Sequence, residues 1–406
     1  MSLRVCSVLP SATEILCAIG GAHLLVGRSH EDNFPQSITH LPILTGQKTT
    51  FTTAGDVDKQ VSAALSSGQS LYTLDVDLLA SLQPDVILTQ DICSVCAIDL
   101  QTVERVAAQM SPRPRVVSLN PMCLEDVLSN VLEVGEAVGM QQQAQATHAE
   151  LLARIARVDA AVTSAALVSP PKVAFIEWPD PIYVGGHWTP QLIARGGGAH
   201  PLNPAPAAGG GGGGKSFPVE AEAVVTMAPD LVIVCPCGLD LGATRREAAT
   251  MQRLGWWQEL AAVREGAVHL VDGDAHFNRP GPRLVDALEW LAATLLDRPD
   301  LAPPGFPAER LAADTEPTSA GTPASCGAHA LVDIEEAHAQ AYADGALTYV
   351  DPQTGYTVFT QRASEERGHC CGSGCRHCAY NHERVPPKRK AAGLAPPIVV
   401  RQACSG

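Results

Sequence analysis

Residues 4–9 read Arg4-Val5-Cys6-Ser7-Val8-Leu9, and Pro10-Ser11-Ala12-Thr13-Glu14 follows directly. The first six form an apolar run of strand length. Pro10 breaks it, and a helix signal begins at once. Ser11 with Glu14 three residues on has the spacing of a capping box. Similar short apolar runs recur at residues 24–27, 86–89, 116–119, 173–178, 231–235 and 268–271. They are rich in Val, Ile and Leu and do not alternate with polar residues, as expected of parallel strands covered on both faces. Helical patterns separate them, for example residues 124–140, where Glu125 and Asp126 favour the first turn. Strand–helix alternation of this kind predicts an α/β, doubly wound architecture.

Residues 141–167 break the rhythm. Leu151, Leu152, Ile155, Val158 and Val162 recur at helical spacing, and neither Gly nor Pro interrupts residues 141–168. One long helix is expected there, joining an N-terminal lobe (1–140) to a C-terminal lobe (168–297) across a cleft. A second long helix at residues 281–296 closes the second lobe, with Pro282 in its first turn and Leu284, Leu288, Leu291 and Leu295 as its buried stripe. Residues 298–330 have the Pro, Ala, Thr and Ser content of a linker. A small Cys-rich module at 331–385 follows, with a hairpin formed by residues 348–350 and 356–360. A Pro-rich flexible tail at 386–406 ends the chain.

The module carries Cys370-Cys371-Gly372-Ser373-Gly374-Cys375-Arg376-His377-Cys378. Gly372 and Gly374 permit a tight loop. Thiolates this dense need a cation, and zinc or an iron–sulfur cluster supplies one. Local disulfides are the alternative. Adjacent cysteines do not easily bridge each other, and 13 cysteines without a visible secretory signal read as a reducing compartment.

The formal net charge of −15 argues against a general nucleic-acid binder. The basic cluster at Lys388, Arg389 and Lys390 reads as a solvated end. No signal-peptide pattern is evident, and no window approaches the ~18 apolar residues of a membrane span. A cytoplasmic or other intracellular location is therefore the expectation. Residues 209–216, GGGGGGKS, formally satisfy the phosphate-loop pattern. That motif works between a buried strand and a helix, whereas Pro204 and Pro206 precede it and Phe217-Pro218 follows. It is read as a flexible low-complexity insertion.

In open parallel sheets, ligands sit beyond the carboxyl ends of the strands. Soft, polar and aromatic residues gather at those ends in both halves: Ser29, His30 and Glu31; Gln90, Asp91, Cys93 and Cys96; Glu177, Trp178, Asp180, His187 and Trp188; Cys235 and Cys237; Asp272, Asp274, His276, Asn278 and Arg279. Two tryptophans and two histidines suit a large flat or metallated ligand, through stacking and coordination.

The stretches RVCSVLPSATEILCAIGG (4–21) and SLYTLDVDLLASLQPDVILTQ (70–90) resemble the cobalamin and iron-siderophore substrate-binding proteins of ABC importers. The resemblance extends over residues 3–297 and is closest to a signal-less, intracellular branch. SHED (29–32) implies cleft roles for His30 and Glu31. LTQDICSVCA (88–97) implies them for Gln90, Cys93 and Cys96. EWPD (177–180) and GGHW (185–188) imply the same for Glu177, Trp178, His187 and Trp188. The CPCG run (235–238) makes Cys237 the matching cysteine, and FNRPGPR (277–283) implies that Asn278 and Arg279 border the cleft. The C-terminal stretch resembles a small uncharacterised domain, which implies Cys370, Cys371, Cys375 and Cys378 as metal ligands.

The expected function is an intracellular binder of cobalamin or another metal chelate, with no catalytic residue assigned. Its partner is a small-molecule ligand, and no transmembrane segment is expected. Two alternatives remain open at the level of sequence. One is a cytosolic metal- or cluster-dependent redox enzyme using Cys93, Cys96, Cys235 and Cys237. The other is a zinc-stabilised interaction protein.

Overall fold

The computed structural model describes residues 2–66, 70–91, 98, 100–206, 212–312, 326–350, 357–370 and 376–385. The chain divides into two compact units, residues 1–315 and 316–406.

In the first unit, strands β1 (Val5–Ser7), β2 (Leu25–Gly27), β5 (Val86–Thr89) and β6 (Arg115–Ser118) form a parallel sheet in the order β2-β1-β5-β6. An antiparallel pair of β3 (Thr45–Gln47) and β4 (Tyr72–Leu74), with the helix Ala54–Ser66 between them in the chain, lies outside that sheet. The second lobe holds a six-stranded sheet in the order β12-β11-β10-β7-β8-β9. Its strands are β7 (Val173–Pro179), β8 (Ile182–Val184), β9 (Phe217–Pro218), β10 (Leu231–Val234), β11 (Val268–Val271) and β12 (Ala308–Leu311). The parallel centre is β7, β10 and β11, while β8, β9 and β12 are antiparallel additions.

The seven expected strands are present at or near their predicted positions. The first is shorter than its apolar run, because the helix Pro10–Ala18 starts at once and Leu9 is its N-cap. The capping box is not formed: no side chain caps that helix, and Glu14 turns elsewhere. Part of the expected linker is β12, paired with β11 from Val268↔Leu311 to Val271↔Ala308. Prolines on both sides of it gave the segment a linker composition, yet an edge strand tolerates exactly such flanks.

The helix Gln141–Ala165 joins the lobes. Ala144, Leu151, Ile155 and Val158 are buried, whereas Leu152 faces out. The preceding helix, Leu124–Ala137, crosses it closely; a Cβ on Gly135 would come within 2.2 Å of Ala144 Cβ. One apolar core runs from Val5, Leu9 and Ile15 through Leu151 and Ile155 to Trp188, Phe277 and Leu288. Both lobes thus share it. Each fully buried aliphatic side chain contributes roughly 1.5–3 kcal/mol relative to exposure. Arg154 of the joining helix pairs with Asp286 and Glu289 on the helix Leu284–Leu295. Arg195 bonds both Asp159 and Glu125, so it ties the joining helix to both lobes.

The second unit contains the helix Cys326–Ala343, the antiparallel pair β13 (Thr348–Val350) and β14 (Thr357–Phe359), and the helix Gln361–Arg367. The expected hairpin is there; its turn lies outside the described residues. Cys370 and Cys378 are buried with Val385 and Tyr380. The rings of His338 and His377 stack at 3.6 Å, and Tyr349 Oη lies 2.7 Å from His377 Nε2. Cys371 and Cys375 lie outside the described residues.

Candidate functional site

The carboxyl ends of both parallel sheets meet along three seams. At the first, Arg279 follows β11 and reaches across to the opposite lobe. Its guanidinium bonds Glu14 (3.3 Å), Asn33 Oδ1 (2.9 Å) and the Glu31 carbonyl (3.0 Å), and on its own lobe Asp274 (2.9 Å). Arg283 also pairs with Glu14, and Asn33 Nδ2 donates to Asp274 at 2.5 Å. Glu14 is 2% exposed at its side chain and Arg279 7%. Two guanidinium groups around one buried carboxylate satisfy the rule that buried charge must be paired.

At the second seam, Trp178 Nε1 donates to the Ala54 carbonyl at 3.2 Å and to Asp180 O at 3.1 Å. Ala54 opens the helix Ala54–Ser66 of the first lobe. A Cβ on Gly55 would meet Asp180 Oδ2 at 2.6 Å, so glycine permits this approach. At the third, Leu124 N donates to Gln191 Oε1 at 2.8 Å. There the glycine run enters the site: a Cβ on Gly212 would fall 1.9 Å from Met122 O and 2.6 Å from His187 O.

That run is therefore not loose along its described part. Gly213 N donates to His187 O, His187 N to Gly214 O, and Asn203 Nδ2 to the carbonyls of Gly185, Gly214 and Lys215. The strand β9 follows it, paired with β8, rather than a helix. The phosphate-loop geometry is absent from residues 212–218, as the prolines implied.

Between the seams, the first lobe presents a chain of hydrogen bonds. Asp32 Oδ2 accepts from Thr13 Oγ1 (2.5 Å) and Ser29 N (3.1 Å). Ser29 Oγ accepts from Thr45 Oγ1 (3.1 Å) and Glu31 N (3.3 Å). Thr45 Oγ1 in turn takes His30 N (3.0 Å) and lies 2.7 Å from His30 Nδ1. The ring of Tyr72 sits 5.7 Å from that of His30, and its hydroxyl reaches Glu31 Oε1 at 3.5 Å. Burial lowers the His30 pKa and raises that of Glu31, the latter against the nearby Arg279 charge. Burial also pushes Asp32 up to about 7.

The second lobe is arranged differently. Glu177 Oε2 accepts from Gly186 N at 3.1 Å, and Glu177, Trp178 and His187 are half-buried. His187 has φ +53°, a left-handed conformation rare for a residue with a Cβ. Burial lowers its pKa, with Lys215 adding to the effect. Trp188 belongs to the core: its Nε1 donates to Phe277 O at 2.6 Å and it is 8% exposed. The GGHW stretch placed it at the cleft, but the turn that presents His187 sends the next side chain inward.

Asn278 Nδ2 bonds the carbonyls of Gly273 and Cys235, so it staples two loops of its own lobe. Cys235 is fully buried, and burial drives its thiol pKa well upward. That disfavours the thiolate a metal or redox role requires. Cys237 is exposed, and its N–H donates to Glu177 O. Gln90 is buried at the end of β5. Cys93 and Cys96 lie outside the described residues.

Among the expected residues, His30, Glu31, Trp178 and Arg279 are thus drawn to the seams and the space between them. Thr45, Tyr72 and Arg283 join them without having been singled out. Surface cavities lined by Val76, Ala80 and Met110, and by Leu202, Glu222 and Met227, share no residue with this set. The meeting of strand ends, and not cavity size, locates the site. Among the described residues, no group of three or more His, Cys, Asp or Glu is arranged to hold a metal ion. No helix among them is long and apolar enough to cross a membrane.

Comparison with known proteins agrees with this architecture. Residues 337–384 match a family of unknown function, DUF5522. A periplasmic heme binding protein from Pseudomonas aeruginosa is 21% identical, with a TM-score of 0.57, over 77% of this chain and 96% of that one. A periplasmic heme-binding protein from Roseiflexus sp. RS-1 is 21% identical, with a TM-score of 0.55, over 73% and 99%. The periplasmic vitamin B12 binding protein of Vibrio cholerae is 18% identical, with a TM-score of 0.51, over 73% and 98%. At these identities the likeness is one of fold. The periplasmic binding protein family matches residues 5–275, two thirds of the chain, and this protein belongs to that family.

Proposed function

We propose that the space between the two lobes binds a flat metal chelate, cobalamin or a related metal-centred ring, and that the protein acts as its intracellular carrier. The observation that supports this most is the convergence of both sheets' carboxyl ends on one inter-lobe face, where His30, Tyr72, Glu31 and Trp178 gather. Imidazole and aromatic rings suit a planar chelate, and the carboxylate and guanidinium groups suit its polar edge. Heme and vitamin B12 are the ligands named for the solved relatives. The pairing of Arg279 with Glu14 is read as the closed arrangement of the lobes.

The test is titration of the full chain with aquocobalamin and, separately, with hemin, followed by absorbance and calorimetry. A saturable spectral change at one equivalent is expected for one of them. Absence of both a spectral and a heat signal with either chelate removes the reading.

The four cysteines of the C-terminal module are read as ligands of zinc or an iron–sulfur cluster. Support comes from Cys370 and Cys378, which are 1% and 2% exposed and packed in one small cluster. Elemental analysis of the reduced protein tests this; protein free of both zinc and iron would overturn it.

A further inference from the structure

We infer that His30 Nε2 is the protein atom that binds the chelate's metal, at the axial position the ring system leaves open. This rests on the reading of the inter-lobe space as a chelate site.

The argument begins with protons. Thr45 Oγ1 lies 3.1 Å from Ser29 Oγ, and we assign the one hydrogen between these two hydroxyls to Thr45. The same oxygen faces His30 N at 3.0 Å and His30 Nδ1 at 2.7 Å. With its own hydrogen engaged, Thr45 Oγ1 can only accept from the ring, so Nδ1 carries the imidazole proton. The lone pair of the neutral ring then lies on Nε2. That atom is buried and has no hydrogen-bond partner. Buried polar atoms are nearly always paired, and an orphan calls for an explanation.

An imidazole with one nitrogen fixed by a hydrogen bond and the other bare is the usual arrangement of a metal-binding histidine. The support behind Thr45 is continuous: Ser29 Oγ takes its hydrogen, and Ser29 N is held by Asp32 Oδ2. The tautomer and the ring orientation are therefore set before any ligand arrives.

Location decides between this role and mere packing. His200 Nε2 and His276 Nδ1 are also orphans, but His200 Nδ1 faces Val173 O at the amino end of β7, and the buried His276 ring packs against Phe306 of its own lobe. His30 follows β2 at its carboxyl end, beside Tyr72 and next to Glu31, whose carbonyl accepts from Arg279 of the other lobe. On binding, Nε2 donates its lone pair to the metal and the ligand that held that position leaves, water in aquocobalamin or the chelate's own nucleotide base in cob(II)alamin. No electron is transferred.

The probe is cob(II)alamin bound to the full chain, read by electron paramagnetic resonance. An axial nitrogen of natural abundance splits the cobalt lines into triplets, and heavy-isotope nitrogen splits them into doublets. Protein grown on heavy-nitrogen histidine should give doublets, and His30→Gln should abolish them while His187→Gln keeps them. Thr45→Val should retain the doublets but weaken binding about 10- to 100-fold, the usual effect of losing the group that orients a ligating histidine.

Tight binding with a signal indifferent to the label would overturn the ligation and leave the chelate reading standing. Loss of the doublets in His187→Gln alone would reassign the ligand and also overturn it. If cob(II)alamin does not bind the unaltered protein at all, both readings fail. Should His30→Gln not fold, the labelled unaltered protein still shows whether a protein histidine ligates, and Thr45→Val tests which one.

Discussion

The two lobes turn chemically different faces toward each other. On the first, side chains orient side chains: Asp32 holds Ser29, Ser29 engages Thr45, and Thr45 fixes His30. One valence is left over at the end of that chain, at His30 Nε2. On the second, polar groups are consumed in holding structure. Arg279 links four partners, Asn278 staples two loops, and Trp188 is bonded into the core. Similar residue types at equivalent strand ends therefore do unlike work. On the reading proposed above, the first lobe meets the ligand and the second closes over it.

The strongest way to break this contrast is to remove the group on which the closure hinges. Glu14→Ala leaves Arg279 and Arg283 without their shared carboxylate in a buried setting. Breaking a buried pair this way destabilises by about 3–5 kcal/mol. Denaturant unfolding of the full chain should show that loss. Arg283→Ala should be milder, since Glu14 keeps Arg279. A change for Glu14→Ala no larger than a surface substitution, about 0.5 kcal/mol, would mean that the seam does not hold the lobes together.

Much of the fold was legible because buried parallel strands leave unbroken Val, Ile and Leu runs, as at residues 86–89 and 268–271. The joining helix was legible from the absence of Gly and Pro. The antiparallel strands β8, β9 and β12 were not, because proline at or beside each one reads as turn or linker. At the site, His30, Glu31, Trp178 and Arg279 could be named from motif and strand-end position. Trp188 could not be told from a cleft residue, since the sequence does not say which way a side chain leaves the Gly185-Gly186 turn. Glu14 sat at capping-box spacing, and only the opposite lobe reveals its ion pairs. Thr45 and Tyr72 come from a two-stranded antiparallel pair outside the main sheet, closed over an intervening helix, a pairing that no local pattern announces.

The two tryptophans sharpen the same comparison at smaller cost. Trp188→Phe removes a donor from the buried Phe277 carbonyl and leaves a gap in the shared core. A lost partner at a buried polar group costs about 1–3 kcal/mol. Trp178→Phe removes a half-buried N–H shared between Ala54 O and Asp180 O, where water can substitute. Its effect should stay near the net value of one hydrogen bond, about 0.5–1.5 kcal/mol. Ligand affinity should respond the other way round: Trp178→Phe should alter chelate binding more than Trp188→Phe. A reversed order in both unfolding and titration would exchange the roles assigned to the two indoles.

A further contrast lies in how each lobe responds to pH, and here the lobes should differ in sign. Burial pushes Asp32 from its ordinary 3.8 up to about 7. The unfolded chain gives up that proton near 3.8, whereas the folded first lobe keeps it until about 7. Across that window the fold binds more protons than the unfolded chain, so its stability falls as pH rises and levels off above. In the second lobe, burial holds His276 down to about 3 and His269 to about 4, against an ordinary 6.5. Their contribution is intact above 6.5 and is lost as pH falls toward those values, because the unfolded chain takes up the protons first. Unfolding midpoints measured across this range should therefore show Asp32→Asn flattening the decline toward neutral pH. His276→Phe, which keeps a ring against Phe306, should flatten the decline toward acid. Both groups sense the Arg279 charge, so the double variant should show both changes with a coupling between them rather than a plain sum. An Asp32→Asn profile that parallels the unaltered protein would mean that the carboxylate is already ionised in the fold, and that the hydrogen-bond chain behind His30 starts from a charge.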